Sequence, residues 1–197
     1  MSLTLNGDSP YFEGATDAPV EWQLLATSSI TSSVATHTLD MTAYAANWMR
    51  IKVVFNNVTS VSDGVSLYGK PSTDGGSSFL GGSDIGASVQ IAGQAGGTPS
   101  ITGVTGPWYV DIVAGAGLGN ASDECAGGEC IMFNHNDTAR RTMFYVWSVC
   151  TDDTNSVRGT TQYMHIDSLL AIDALGFSAS TGNLDDGDFW IYGGGPL

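Results

Sequence analysis

A chain of 197 residues, 42% apolar and only 13% charged, is long enough to bury its own core and makes one domain, at most two. Twenty carboxylates against six Lys and Arg give a formal net charge of −14, which repels nucleic-acid phosphates and anionic lipid surfaces, so neither DNA nor RNA is an expected partner. Glu, Lys, Arg and Gln total 14, against 26 Gly and 40 Ser plus Thr. Gly breaks helix interiors, and Ser and Asp compete for the helix's backbone hydrogen bonds, so an all-α fold is excluded.

No run of 18 apolar residues occurs, so no membrane insertion by a helix is expected. Met1-Ser2-Leu3-Thr4-Leu5-Asn6-Gly7-Asp8 has neither a basic nor an apolar region, and no secretory signal peptide is expected. Residues 1–19 read as a polar, turn-rich arm, with Tyr11 and Phe12 as its expected assembly anchors. Such a segment buries too little to order itself, so a neighbouring chain is expected to hold it; packing back onto its own domain is the alternative.

A single domain is expected over 20–197. Val20 to Leu25 alternates as a half-buried strand, and Val34 to Leu39 is a weaker strand. Asp40 to Ala46 reads as one helical turn capped by Asp40. Trp48 to Phe55 is the clearest strand, with Met49, Ile51, Val53 and Phe55 on one face and Trp48, Arg50, Lys52 and Val54 on the other. Turns at Ser62-Asp63-Gly64 and Ser72-Thr73-Asp74-Gly75-Gly76-Ser77 flank a strand at Val65 to Tyr68. The Gly/Ser/Thr-rich stretch 81–106 holds a short strand around Val89 to Ala92; Trp108 to Val113 is another, followed by a long loop from Gly115 to Gly128. Ile131 to Phe133 reads as a short strand, and Thr142 to Cys150 is apolar on both faces, as in a strand covered on both sides. Tyr163 to Leu170, Asp173 to Ala179 and Phe189 to Tyr192 close the chain. About ten short strands with long Gly/Ser/Asp loops and no strand–helix alternation point to a jelly-roll-like β-sandwich, with a closed barrel as the second choice.

The residues that carry chemistry are sparse. Cys125 and Cys130 flank Ala-Gly-Gly-Glu, which is flexible enough to form a hairpin; free thiols are the first expectation, with a disulfide across that hairpin, or a zinc site of Cys125, Cys130, His135 and Cys150, as the alternatives. His37, His135 and His165 stand apart from any nucleophile in sequence, and neither Gly-x-Ser-x-Gly nor His-Glu-x-x-His occurs. Asp185, Asp186 and Asp188 crowd together, as Ca²⁺ ligands do, without EF-hand spacing; solvated turns are the expectation. No metal or cofactor and no catalysis is expected. Trp108, Trp190 and Tyr192 are candidate glycan-stacking aromatics, set against packing in a core or a subunit interface.

Glu21-Trp22-Gln23-Leu24-Leu25-Ala26-Thr27 is followed by Trp48 to Val58, Asp63-Gly64-Val65-Ser66-Leu67-Tyr68 and Ser72 to Phe79. Asp173 to Ser178 and Gly187-Asp188-Phe189-Trp190-Ile191-Tyr192-Gly193 close the series. This order of a W-x-L opening, an S-T-D-G-G turn and a Y-G tail resembles a diffuse family of tailed-bacteriophage virion proteins among head-decoration, head-fibre and tail-fibre components. The resemblance implies a non-catalytic structural protein on the virion exterior, made in the host cytoplasm and released by lysis. Head decoration or fibre is the first reading; a tail-fibre or receptor-binding module that binds host glycan is the alternative. Expected partners are other copies of itself, most simply a homotrimer, and the major capsid or other virion proteins. An independent argument agrees: open sheet edges invite pairing unless guarded, and Lys52 and Lys70 are the only lysines.

Overall fold

The computed structural model describes residues 22–197 apart from 82, 83, 95, 96, 99, 105–109, 122, 168 and 197. The arm with Tyr11 and Phe12, and Trp108, lie outside the described residues. The fold is all β. Its strands are β1 (Gln23–Ile30), β2 (His37–Asp40), β3 (Trp48–Ser60), β4 (Val65–Ser72), β5 (Ile85–Gln94), β6 (Ser100–Val104), β7 (Val110–Leu118), β8 (Ala126–Phe133), β9 (Met143–Thr151), β10 (Val157–Ile166), β11 (Ala174–Ala179) and β12 (Leu184–Pro196). The helical turn expected over Asp40 to Ala46 is displaced to a 3₁₀ turn at Ala45–Asn47, so Asp40 does not cap it; its carboxylate instead accepts the Thr42 N–H at 2.9 Å in the turn before.

Two antiparallel sheets form, an eight-stranded one in the order β1-β12-β3-β8-β9-β10-β5-β6 and a four-stranded one in the order β2-β11-β4-β7. The second order repeats the first half of the large sheet, each strand replaced by its neighbour in the chain. The chain therefore crosses between sheets at β1–β2, β3–β4, β7–β8 and β11–β12, the wrapping of a jelly-roll-like sandwich. The small sheet thus matches only the half of the large sheet formed by β1, β12, β3 and β8. The other half, β9-β10-β5-β6, extends beyond it as a wing, with β7 reaching over to β9 and β10.

Alternation along β3 buries Ile51, Val53 and Phe55 and turns Arg50, Lys52 and Val54 outward, as the sequence pattern requires; Met49, expected with the inward set, is exposed at the start of the strand. Phe177 of β11 meets Phe189 of β12 at 4.8 Å and Phe55 at 5.7 Å between ring centroids, joining the two sheets at the centre of the core. Each such ring contributes about 1.5–3 kcal/mol through burial. The S-T-D-G-G turn forms as expected. Asp74 accepts hydrogen bonds from the Ser72 hydroxyl at 2.8 Å and from the Ser78 N–H and hydroxyl at 2.8 and 2.6 Å. Gly75 and Gly76 take φ of 68° and 88°, where a side chain is strained.

Three expectations are corrected. Residues 81–106 hold two strands, β5 and β6, instead of one short one, because small and polar residues pair as well as large ones when the ladder is continuous. Half of the expected loop from Gly115 to Gly128 is strand, the end of β7 and the start of β8. Most informative is β9, expected to be covered on both faces. Phe144, Val146, Ser148 and Cys150 are buried, but Met143 and Trp147 are each 47% exposed and Val149 is exposed beside them.

Candidate functional site: the outer face of the large sheet

The face of the large sheet that turns away from the small sheet is the most unusual surface of the molecule. Register aligns Tyr192, Lys52, Ile131, Tyr145, Tyr163 and Val89 in one row across six strands. The neighbouring row reads Trp190, Val54, Glu129, Trp147, Thr161, Ile91 and Ile101. Tyr163 is 51% exposed and Ile101 75%. The Tyr145 and Tyr163 rings pack at 5.3 Å across the β9–β10 ladder. Together these side chains form one contiguous surface, larger than the scattered exposed apolar residues normal for a monomer.

The face divides into two parts by chemistry. On the wing, the sequences of β5, β6, β9 and β10 contain no Asp or Glu at all, in a chain that carries 20. Phe133, Met143, Tyr145 and Tyr163 line an apolar hollow of about 350 Å³ there. The half over β12, β3 and β8 is mixed. Lys52 Nζ sits 4.5 Å from the Trp22 ring centroid, 5.3 Å from that of Tyr192 and 4.0 Å from Glu129 Oε2, and the Arg50 guanidinium lies 5.1 Å from Trp22. The basic face of β3 thus meets an acidic neighbour in Glu129, with two aromatic rings added. The tail glycines permit this stacking: a Cβ at Gly194 would lie 2.8 Å from the Trp22 ring, and one at Gly193 would run into Trp48. Where the two halves meet, Trp147 and Trp190 flank a shallow trough of about 470 Å³ with Gly127 and Val54 beneath it.

The remaining sequence-derived candidates do not gather. Cys125 precedes β8 and Cys130 lies within it, so the expected hairpin is an extended strand. Five residues at about 3.3 Å each separate the two by roughly 17 Å, far beyond disulfide reach. All three cysteines are free thiols. Burial pushes Cys130 up to about 12, with Glu129 adding to the shift, and Cys150 up to about 11, with Asp152 adding. Among the described residues no three His, Cys, Asp or Glu side chains converge as a metal-holding group, and Cys125, Cys130, His135 and Cys150 form none. Asp188 accepts the Ser29 hydroxyl at 2.7 Å, Asp186 accepts the Gly187 N–H at 2.7 Å, and Asp185 is exposed.

His135 is fully buried, and His165 Nε2 lies 3.0 Å from Asp167. His37 stacks on Phe189 at 4.8 Å, with Ser28 Oγ 3.0 Å from its Nε2; burial lowers its pKa, leaving it neutral at pH 7. That hydroxyl–imidazole pair unites the edge strands of the two sheets, β1 and β2, and nothing in the sequence announced it.

Asp152, in the β9–β10 turn, has no solvent exposure. It accepts from the Thr154 N–H and hydroxyl, the Ser156 N–H and the Arg158 guanidinium. Burial pushes this carboxyl up, but the hydrogen bonds from Ser156, Thr154 and Arg158 outweigh it and hold it well below the usual carboxylate range. It anchors the hairpin at the base of the wing.

Of the predicted glycan-stacking residues, Trp190 and Tyr192 do share the outer face of β12. Trp147, which sequence reasoning assigned to the core, joins them there. Compared with known protein families, curated proteins and solved structures, the chain matches none of them.

Proposed function

We propose that this chain is a non-catalytic structural protein of the outer surface of a tailed-bacteriophage particle, a head-decoration or head-fibre component working as a homo-oligomer. The ordered motif series supports the virion assignment. The observation that carries the assembly reading is the carboxylate-free apolar face of the wing. At a net charge of −14, copies repel each other wherever their acidic surfaces meet, so self-association needs a neutral contact, and the wing supplies one. Three strands of about 30 Å and the shorter β6 of about 17 Å, at about 4.8 Å spacing, give it roughly 500 Å², the larger part of the ~800 Å² per partner of a stable interface. The strand β6 at its edge carries no Lys and exposes Ile101, so the contact can extend to edge pairing along its five residues. A trimer fits the three-fold sites that virion spikes and decorations commonly occupy.

Peptide mapping of purified particles tests the location; absence of the protein from particles overturns it. Sedimentation equilibrium at micromolar concentration tests the assembly. An oligomer that dissociates in Ile91→Asp or Tyr163→Asp is expected, and a native protein that stays monomeric, both alone and on particles, overturns the role of the wing.

A further inference from the structure

The trough at the border of the two halves has a different chemistry from the wing, and its occupant is separable from the assembly reading. Its walls are two indoles. Trp190 faces outward from β12 between the buried Phe189 and Ile191, and Trp147 faces outward from β9 between the buried Val146 and Ser148. Two strands, β3 and β8, run between them, so the walls stand about 14 Å apart at the backbone. Gly127 of β8 carries no side chain there and leaves the floor open: an added Cβ would meet Asn56 Oδ1 at 3.2 Å and otherwise only ordinary contacts. Val54 supplies an apolar base, and polar groups stand between the walls, Asn56 from β3 and Glu129 from β8. Glu129 is drawn toward β3 by Lys52, which is itself engaged with Trp22 and Tyr192.

We propose that this trough binds a neutral oligosaccharide, its pyranose rings lying on Trp147 and Trp190 and its hydroxyls meeting Asn56 and Glu129. A pyranose has an apolar C–H face that packs on an aromatic plane and a rim of hydroxyls that needs donors and acceptors at the border, and this arrangement offers both. A peptide would need backbone partners, which the paired interior strands β3 and β8 cannot give. An anionic glycan is disfavoured by Glu129 and by the overall charge. The site is shallow and preformed, so the affinity is millimolar.

The test is a titration of the full chain with neutral gluco-, manno- and N-acetylglucosamine oligosaccharides, read by tryptophan fluorescence and calorimetry, alongside a sialylated oligosaccharide. A saturable signal with at least one neutral series is expected, weakened about tenfold or more in Gly127→Val, whose side chain fills the floor, and in Trp190→Ala. The apolar-wing variant Ile101→Ser binds as the native protein does. Circular dichroism establishes that Gly127→Val is folded; Asn56→Ala, at an exposed position, gives the same readout if it is not. No saturable signal at about 10 mM, unchanged binding in the folded variants, or preference for the sialylated probe overturns the proposal. Particle composition and oligomeric state do not enter this readout, so its failure leaves the assembly reading standing, and the reverse.

Discussion

The two halves of the eight-stranded sheet solve opposite problems with the same kind of strand. In the half over β1, β12, β3 and β8, the inner face is apolar, with Ile51, Phe55, Cys130, Met132 and Phe189 sealed by the small sheet, while the outer face mixes Trp and Tyr with Lys52, Arg50 and Glu129. On the wing the polarity partly inverts. Ser88, Ser148, Thr160 and Gln162 are buried on the inner face, while Val89, Ile91, Ile101 and Tyr163 are exposed on the outer one. That contrast is what the proposed assembly reading rests on: an apolar outer face gains by being covered.

Paired substitutions sharpen that contrast. Phe177→Ala, at the junction of the sheets, removes a ring packed on Phe55 and Phe189. It is expected to cost about 3–5 kcal/mol, roughly 10 °C in Tm, by calorimetry. Ile91→Ala on the wing costs under about 1 kcal/mol in the monomer. Adjacent glycines of β8 make the same comparison within one strand. Gly128 faces inward, where a Cβ would lie 2.7 Å from Ser148 Cα and 2.9 Å from the Phe55 ring. Gly128→Ala therefore destabilises by about 1–3 kcal/mol, whereas Gly127→Ala, in the open trough, stays near neutral; equal melting temperatures for the two would break the inner–outer distinction.

Thiol reactivity reads the same distinction more gently. Cys130 and Cys150 lie inward with raised pKa values, and Cys125 is partly exposed. Mass spectrometry after brief alkylation is expected to find one modified thiol in the native protein and three after denaturation.

The smallest effect is on pH. Hydrogen bonds from the Ser78 hydroxyl and N–H and from Ser72 hold Asp74 down to about 2, against 3.8 for a free carboxyl. Depressed carboxyls add stability above their unfolded value and lose it as pH falls from about 4 toward 2. Denaturation midpoints should fall across that window, less steeply in Asp74→Asn. His37 acts in a separate window: its pKa is lowered from 6.5, so the unfolded chain takes up the proton first and stability declines as pH drops below that value.

Local chemistry was legible wherever the cause is local. The alternation of β3 and the Asp74 turn were readable, because each depends on residues within a few positions of one another. Strand β6 and the Gly-rich start of β8 were not, since Gly is depleted from strands on its own account and joins the sheet through its partners, whereas Ile131 to Phe133 at the end of β8 was readable. Cys125 and Cys130 look like hairpin neighbours in one dimension, and only the extension of β8 separates them.

The trough shows the same limit. Trp190 was nominated from its own strand, but Trp147 comes from another strand, and no spacing in the chain records that β3 and β8 run between them. What the sequence determined by itself is the all-β class and the acidic charge, which are sums over residues or short patterns. Which face of β9 is covered, where the carboxylate-free strands come together and which aromatics share a surface were decided by the order of strands in the sheet, because side-chain neighbours across a sheet are set by pairing and not by distance along the chain.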